Sequence, residues 1–141
     1  MQVEIVSAHV RSLMEDNLTH IDTSNPQNIK PWFTGRVDFV PNAKDLTNSG
    51  FKLIGARLDY VNRNNAASIV YKTQNHLINL FIFPTKEKDM LNTKAIQKRG
   101  YNIIKWTENG LEYCAISDLN MEELKQFAQL YREQSYNTRL Y

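Results

Sequence analysis

Apolar residues recur along this chain with two different periods. Near the N-terminus Val6, Val10, Leu13 and Met14 fall at helical spacing with Ile5 and His9 beside them, which predicts an amphipathic helix over residues 3–17. Glu15 and Asp16 sit at its negative dipole end, which predicts a frayed last turn. Residues 20–31 carry Asp22, Ser24, Asn25, Pro26 and Asn28 and predict a loop, and residues 43–48 allow one helical turn closed by Gly50. From Phe51 the period becomes two. Ile54, Ala56, Leu58 and Tyr60 alternate with Leu53, Gly55, Arg57 and Asp59, the pattern of a strand over residues 51–61. After an Asn-rich turn at residues 62–65, residues 66–72 predict a second strand. Residues 76–83 follow the turn at Gln74-Asn75 and are apolar on nearly both sides, so this third strand should be central and covered. Pro84 ends it, and the polar residues 85–99 predict a solvated connection.

The last third is more explicit. Residues 101–106 and 111–116 flank Asn109-Gly110, the strongest short signal for a hairpin. Asn120 with Glu123 forms an N-cap pattern ahead of an apolar stripe at Met121, Leu124, Phe127, Ala128 and Tyr131. The predicted class is α+β: an antiparallel sheet of about five strands, a meander plus a hairpin, packed on one face by an N-terminal and a C-terminal helix. One domain over residues 1–134 and a polar tail over 135–141 suit the length of 141 residues.

The segment Lys30-Pro31-Trp32-Phe33-Thr34-Gly35-Arg36-Val37-Asp38-Phe39 departs from both periods. Pro31 disfavours helix at Lys30 and Gly35 admits unusual angles, so the chain there should run extended and then turn sharply. Its aromatics either plug the core or present Trp32 and Arg36 to a partner.

Charge narrows the function. Seventeen Lys and Arg against 15 Asp and Glu give +2, too balanced for a nucleic-acid partner. Cys114 is the one cysteine, which excludes an internal disulfide, and its strand-like surroundings predict a buried, inert thiol. His9, His20 and His76 form no metal-ligand spacing, and the glycines are too dispersed for a phosphate loop, so neither metal nor cofactor is expected. A catalytic reading would use His76 or His9 with Ser117-Asp118, but Ser117 lacks a Gly-x-Ser-x-Gly elbow and Ser-Asp ahead of a helix reads as a cap. The chain is therefore expected not to be an enzyme. Asn17-Leu18-Thr19 matches a glycosylation acceptor. No stretch approaches the ~20 apolar residues of a membrane span, and Met1-Gln2-Val3-Glu4 does not start a signal peptide.

Several blocks together resemble the extracytoplasmic C-terminal domain of bacterial transmembrane anti-sigma factors. They are His9-Val10-Arg11-Ser12-Leu13, the segment from Lys30 to Phe39, and Gly50-Phe51-Lys52-Leu53-Ile54-Gly55-Ala56-Arg57-Leu58-Asp59-Tyr60. Val70-Tyr71, His76-Leu77-Ile78-Asn79-Leu80-Phe81, the run from Arg99 to Trp106 and Ala115-Ile116-Ser117-Asp118-Leu119 complete the set. Asn28 departs from a histidine frequent in that family, and Ala56 from a second glycine. The resemblance implies a sensory domain on the periplasmic side of the inner membrane. It would be joined through a transmembrane helix to a cytoplasmic segment that holds a sigma factor, both outside these residues. A periplasmic partner or protease is implied too. Candidate binding residues are Lys30, Trp32, Phe33, Arg36, His76 and Asn79. The alternative is a soluble small-molecule or peptide binding module built on the loop from Trp32 to Arg36.

Overall fold

The computed structural model describes residues 2–14, 18–61 and 63–140. Among them the chain forms helix α1 (Gln2–Ser12), strand β1 (Ile21–Asp22), helix α2 (Ile29–Phe33), and strands β2 (Lys52–Val61), β3 (Asn64–Thr73) and β4 (His76–Pro84). Strands β5 (Lys94–Lys98), β6 (Tyr101–Glu108) and β7 (Leu111–Ser117) and helix α3 (Met121–Leu140) follow. The architecture is α+β. One antiparallel sheet has the order β1-β2-β3-β4-β7-β6-β5, so two meanders meet where β4 pairs with β7.

The helices lie on opposite faces of the sheet, not on one. Ile5, Val6 and Ala8 of α1 pack on Phe81, Phe83, Ile103, Cys114 and Ile116. Leu124, Phe127, Ala128 and Tyr131 of α3 pack with Phe33 of α2 and with Tyr71, Leu80, Ile104 and Trp106. Successive residues of β4 thus alternate between two cores, which is why this strand is apolar on both sides. Trp106 is fully buried, its Nε1 finds no hydrogen-bond partner among the described residues, and its ring stacks on Tyr113 at 5.2 Å.

Local chemistry accounts for several boundaries. The Asn120 side chain accepts from the Glu123 N–H and donates to the Glu123 carboxylate, both at 2.9 Å, which makes it the N-cap of α3. The helix then runs through residues 135–140, which the sequence marks as polar. Asn109 and Gly110 take φ of 54° and 78°, the mirror-image turn that matches the twist of β6 and β7. A short turn at Thr47–Ser49 ends on Gly50 at φ 90°.

Other expectations are corrected. The first helix ends at Ser12 rather than 17, because Leu13 and Met14 are 45% and 58% exposed and find no apolar face to hold another turn. Residues 15–17, with the expected fraying at Glu15 and Asp16, lie outside the described residues, as does Asn17 of the glycosylation pattern. The stretch over Lys30, Pro31, Trp32 and Phe33 is helical, not extended. Pro31 falls in the first turn of α2, where its missing N–H costs no intrahelical bond. The sheet has seven strands rather than about five: β1 lies in the expected loop, and β5 lies in the expected solvated connection.

The pairing of β2 with β3 shifts between Leu53 and Gly55. This bulge puts Leu53 on the same core as Ala56 and Leu58 despite their odd and even numbering. At the bulge β1 passes very close. A Cβ on Gly55 would lie 2.1 Å from the Ile21 carbonyl oxygen. Gly55→Ala must push β1 away, and thermal or urea unfolding should show a loss of about 2 kcal/mol. A wild-type midpoint would contradict this packing.

Candidate functional site: a polar hub under the N-terminal helix

Asn79 sits in the apolar run Leu77-Ile78-Asn79-Leu80-Phe81 and is fully buried against α1. Its Oδ1 accepts from Ser68 Oγ at 2.7 Å and from Arg57 Nη1 at 3.3 Å. Its Nδ2 donates to Ser12 Oγ at 2.8 Å and to His9 Nδ1 at 2.7 Å. The proton positions follow from chemistry. Arg57 can only donate, so the amide oxygen must face it. The amide nitrogen can then only donate, so His9 Nδ1 must be a bare acceptor and the neutral ring carries its proton on Nε2. Ser12 Oγ donates to the His9 carbonyl at 2.6 Å, which leaves its lone pairs for Asn79. One amide therefore joins α1 to β2, β3 and β4.

Arg57 carries the hub outward. Its Nη1 also donates to the Leu18 carbonyl at 2.8 Å, and its Nε and Nη2 reach Asp59 Oδ2 at 3.4 and 3.2 Å. Burial lowers the Arg57 pKa, and Asp59 opposes that shift. Asp59 Oδ1 meets Arg11 Nη2 of α1 at 3.4 Å. His9 is 1% exposed, with the Tyr101 ring edge-on at 5.1 Å. Burial lowers its pKa to about 4; Asp118 raises it and Arg57 lowers it further. Next to the hub Ala8, Arg11, Ser12, His20, Arg57 and Asp59 line a cavity of about 210 Å³.

The sequence candidates fall into three places. Asn79 belongs to this hub. In the aromatic segment Phe33 is fully buried as a core anchor, while Lys30 and Arg36 are exposed. Half-buried Trp32 meets Phe33 edge-on at 4.8 Å. Arg36 stacks over Trp32 at 4.6 Å and donates to its carbonyl at 2.5 Å. Gly35 at φ 83° makes the reversal between them. A cavity of about 450 Å³ opens beside this loop, lined among others by Arg36, Asp38, Phe39, Tyr60 and Arg63, but not by Trp32.

His76 lies elsewhere, with Nδ1 at 2.8 Å from Asp118 Oδ1. Ser117 does not join that pair. Its buried hydroxyl donates to the Leu77 carbonyl at 2.8 Å and accepts from the Leu119 N–H at 3.1 Å. Cys114 is buried, and burial, then Glu112, pushes its thiol pKa well up. Among the described residues no three His, Cys, Asp or Glu side chains gather to hold a metal.

Arg57, Ser12 and Ser68 were not singled out from the sequence. The available signal was a set of polar residues at strand and helix positions whose neighbours are core: Ser68 between Ala67 and Ile69, and Ser12 three residues after His9. No family model, curated protein or solved structure matches this chain.

Proposed function

We propose that this chain is the extracytoplasmic sensory domain of a transmembrane anti-sigma factor, controlling release of a sigma factor in response to an envelope signal. The sigma factor binds a cytoplasmic segment outside these residues. The observation that carries the reading is the attachment of α1, whose apolar face packs on the sheet and whose polar contacts converge on one buried amide. Transmission of a signal then requires that this joint be made in one state and broken in the other. A ligand, a partner or a protease that favours one state shifts the other end of the helix. No helix among the described residues is long and apolar enough to cross a membrane; in this proposal the anchor lies ahead of α1. The reading frame upstream should encode an apolar segment of ~20 residues after a cytoplasmic helical part. Deleting the domain from that longer protein should change the output of a sigma-dependent reporter. A frame without the apolar segment, or an unchanged reporter, overturns the proposal.

A second reading, a small-molecule or peptide binding module, draws on the cavity of about 450 Å³ beside Arg36, within the usual size range for ligand sites. Trp32 lies under Arg36 and is half-buried, so its fluorescence should report a ligand there. A titration response that vanishes in Arg36→Ala supports this reading, and a response unchanged in that variant rejects it.

A further inference from the structure

The open edge of the sheet at β5 has the features of a docking strand. Among the described residues β5 pairs with β6 alone. Arg99 and Gly100 both take positive φ, 54° and 83°, in the two-residue turn between Lys98 and Tyr101. In such a hairpin the flanking pair exchanges hydrogen bonds, and every second pair does so after it. Lys98, Ile96 and Lys94 therefore bond to β6, while Ala95 and Gln97 turn their N–H and C=O groups outward.

The side chains along this edge are selective. Ile96 packs toward α1, and Lys94 and Lys98 share its face by strand alternation. Lys94 stands directly opposite Lys105, a like-charge pairing that costs stability in a sheet. Lys105 is matched by Glu112 at 3.8 Å, whereas Lys94 and Lys98 make no ion pair among the described residues. Arg99 adds a third cation at a backbone angle that favours Asn or Gly. On the opposite face Leu91 is 96% exposed just ahead of the strand. Leu91, Thr93, Lys125, Gln129, Arg132 and one carboxylate, Glu133, line a cavity of about 410 Å³ there, against α3.

We propose that β5 receives an extended acidic segment of a partner protein as an eighth strand. Ala95 and Gln97 supply the main-chain bonds, Lys94 and Lys98 pair with alternate acidic side chains, and the cavity at Leu91 takes an apolar residue at the segment's end. The same lysines repel a second copy of β5, so self-pairing is the disfavoured occupant. The proposal is independent of the sensory reading above.

Ala95→Pro gives a clean test, because it removes an outward N–H and leaves the bonds to β6 intact. A fluorescein-labelled peptide alternating Glu and Val and ending in Leu should bind with a Kd below about 1 mM, and its Lys counterpart at least about tenfold more weakly. Ala95→Pro should weaken the acidic peptide about tenfold without moving the melting temperature. The surface double variant Lys94→Glu, Lys98→Glu should reverse the preference between the peptides. Equal affinity for the two peptides, no binding of the acidic one at 1 mM, or full binding by both variants overturns the proposal. Dimerisation through β5 in sedimentation would overturn it as well.

Discussion

Asn79→Ala should lower the folding free energy by about 4 kcal/mol, the loss expected when one partner of a buried, charge-containing network is removed. The volume lost is small, so a cavity is not the main term. The cost comes from four groups left behind: Ser68 and Arg57 lose an acceptor, and His9 and Ser12 lose a donor. The guanidinium dominates, because Arg57 is 4% exposed and its remaining hydrogen-bond partners are the Leu18 carbonyl and Asp59. Urea denaturation measures the total, and amide exchange locates it. Amides of α1 should exchange faster than those of α3, which packs on the other face. Asn79→Asp separates the two halves of the hub, since it keeps an acceptor for Arg57 and takes the donor from His9 and Ser12. It should fall between wild type and the alanine variant. A loss below about 1 kcal/mol in Asn79→Ala would mean that apolar contacts alone hold α1.

The parts of this fold visible in the sequence are those fixed by neighbouring residues. The N-cap at Asn120 with Glu123, the turn at Asn109-Gly110 and the central position of β4 each depend on a few adjacent positions. β5 leaves little periodicity in the sequence because an edge strand buries little, and only Ile96 of Lys94-Ala95-Ile96-Gln97-Lys98 packs into a core. α2 is masked because Pro31 disfavours helix at Lys30 in general, yet is harmless in a first turn. Periodicity showed that each long helix has an apolar face and not which side of the sheet it covers. The cue was β4 itself, since a strand apolar on both sides needs cover on both. The hub was only partly legible. His9 and Asn79 stood out singly, but their contact spans 70 positions, and no local pattern joins Ser12, Arg57 and Ser68 to them.

Acid should unfasten α1 through His9. The free imidazole protonates near 6.5, and the buried one near 4. Between those values the unfolded chain binds a proton that the folded chain refuses, so stability falls as pH falls. It is fully present above pH 6.5 and is lost by about 1.4 kcal/mol per pH unit, or ~3 kcal/mol by pH 4. The cause is geometric as well as dielectric. A proton on Nδ1 would point at the Asn79 amide nitrogen, donor against donor, at a present separation of 2.7 Å. The charges around the ring oppose each other: Asp118 favours the imidazolium, Arg57 disfavours it, and Tyr101 offers an uncharged ring edge. Other groups add their own pH dependence; Asp45, for example, has its pKa lowered by its bonds to Thr47 and loses that stabilisation toward the acid end of the range. The useful quantity is therefore the difference between wild type and His9→Gln, whose amide oxygen can accept from Asn79 and does not titrate. Unfolding free energies measured from pH 7.5 to 4 should fall more steeply for wild type, and the two curves should diverge below about pH 6.5. Parallel curves would show that His9 is already solvated in the folded protein and that α1 is not held by a neutral imidazole.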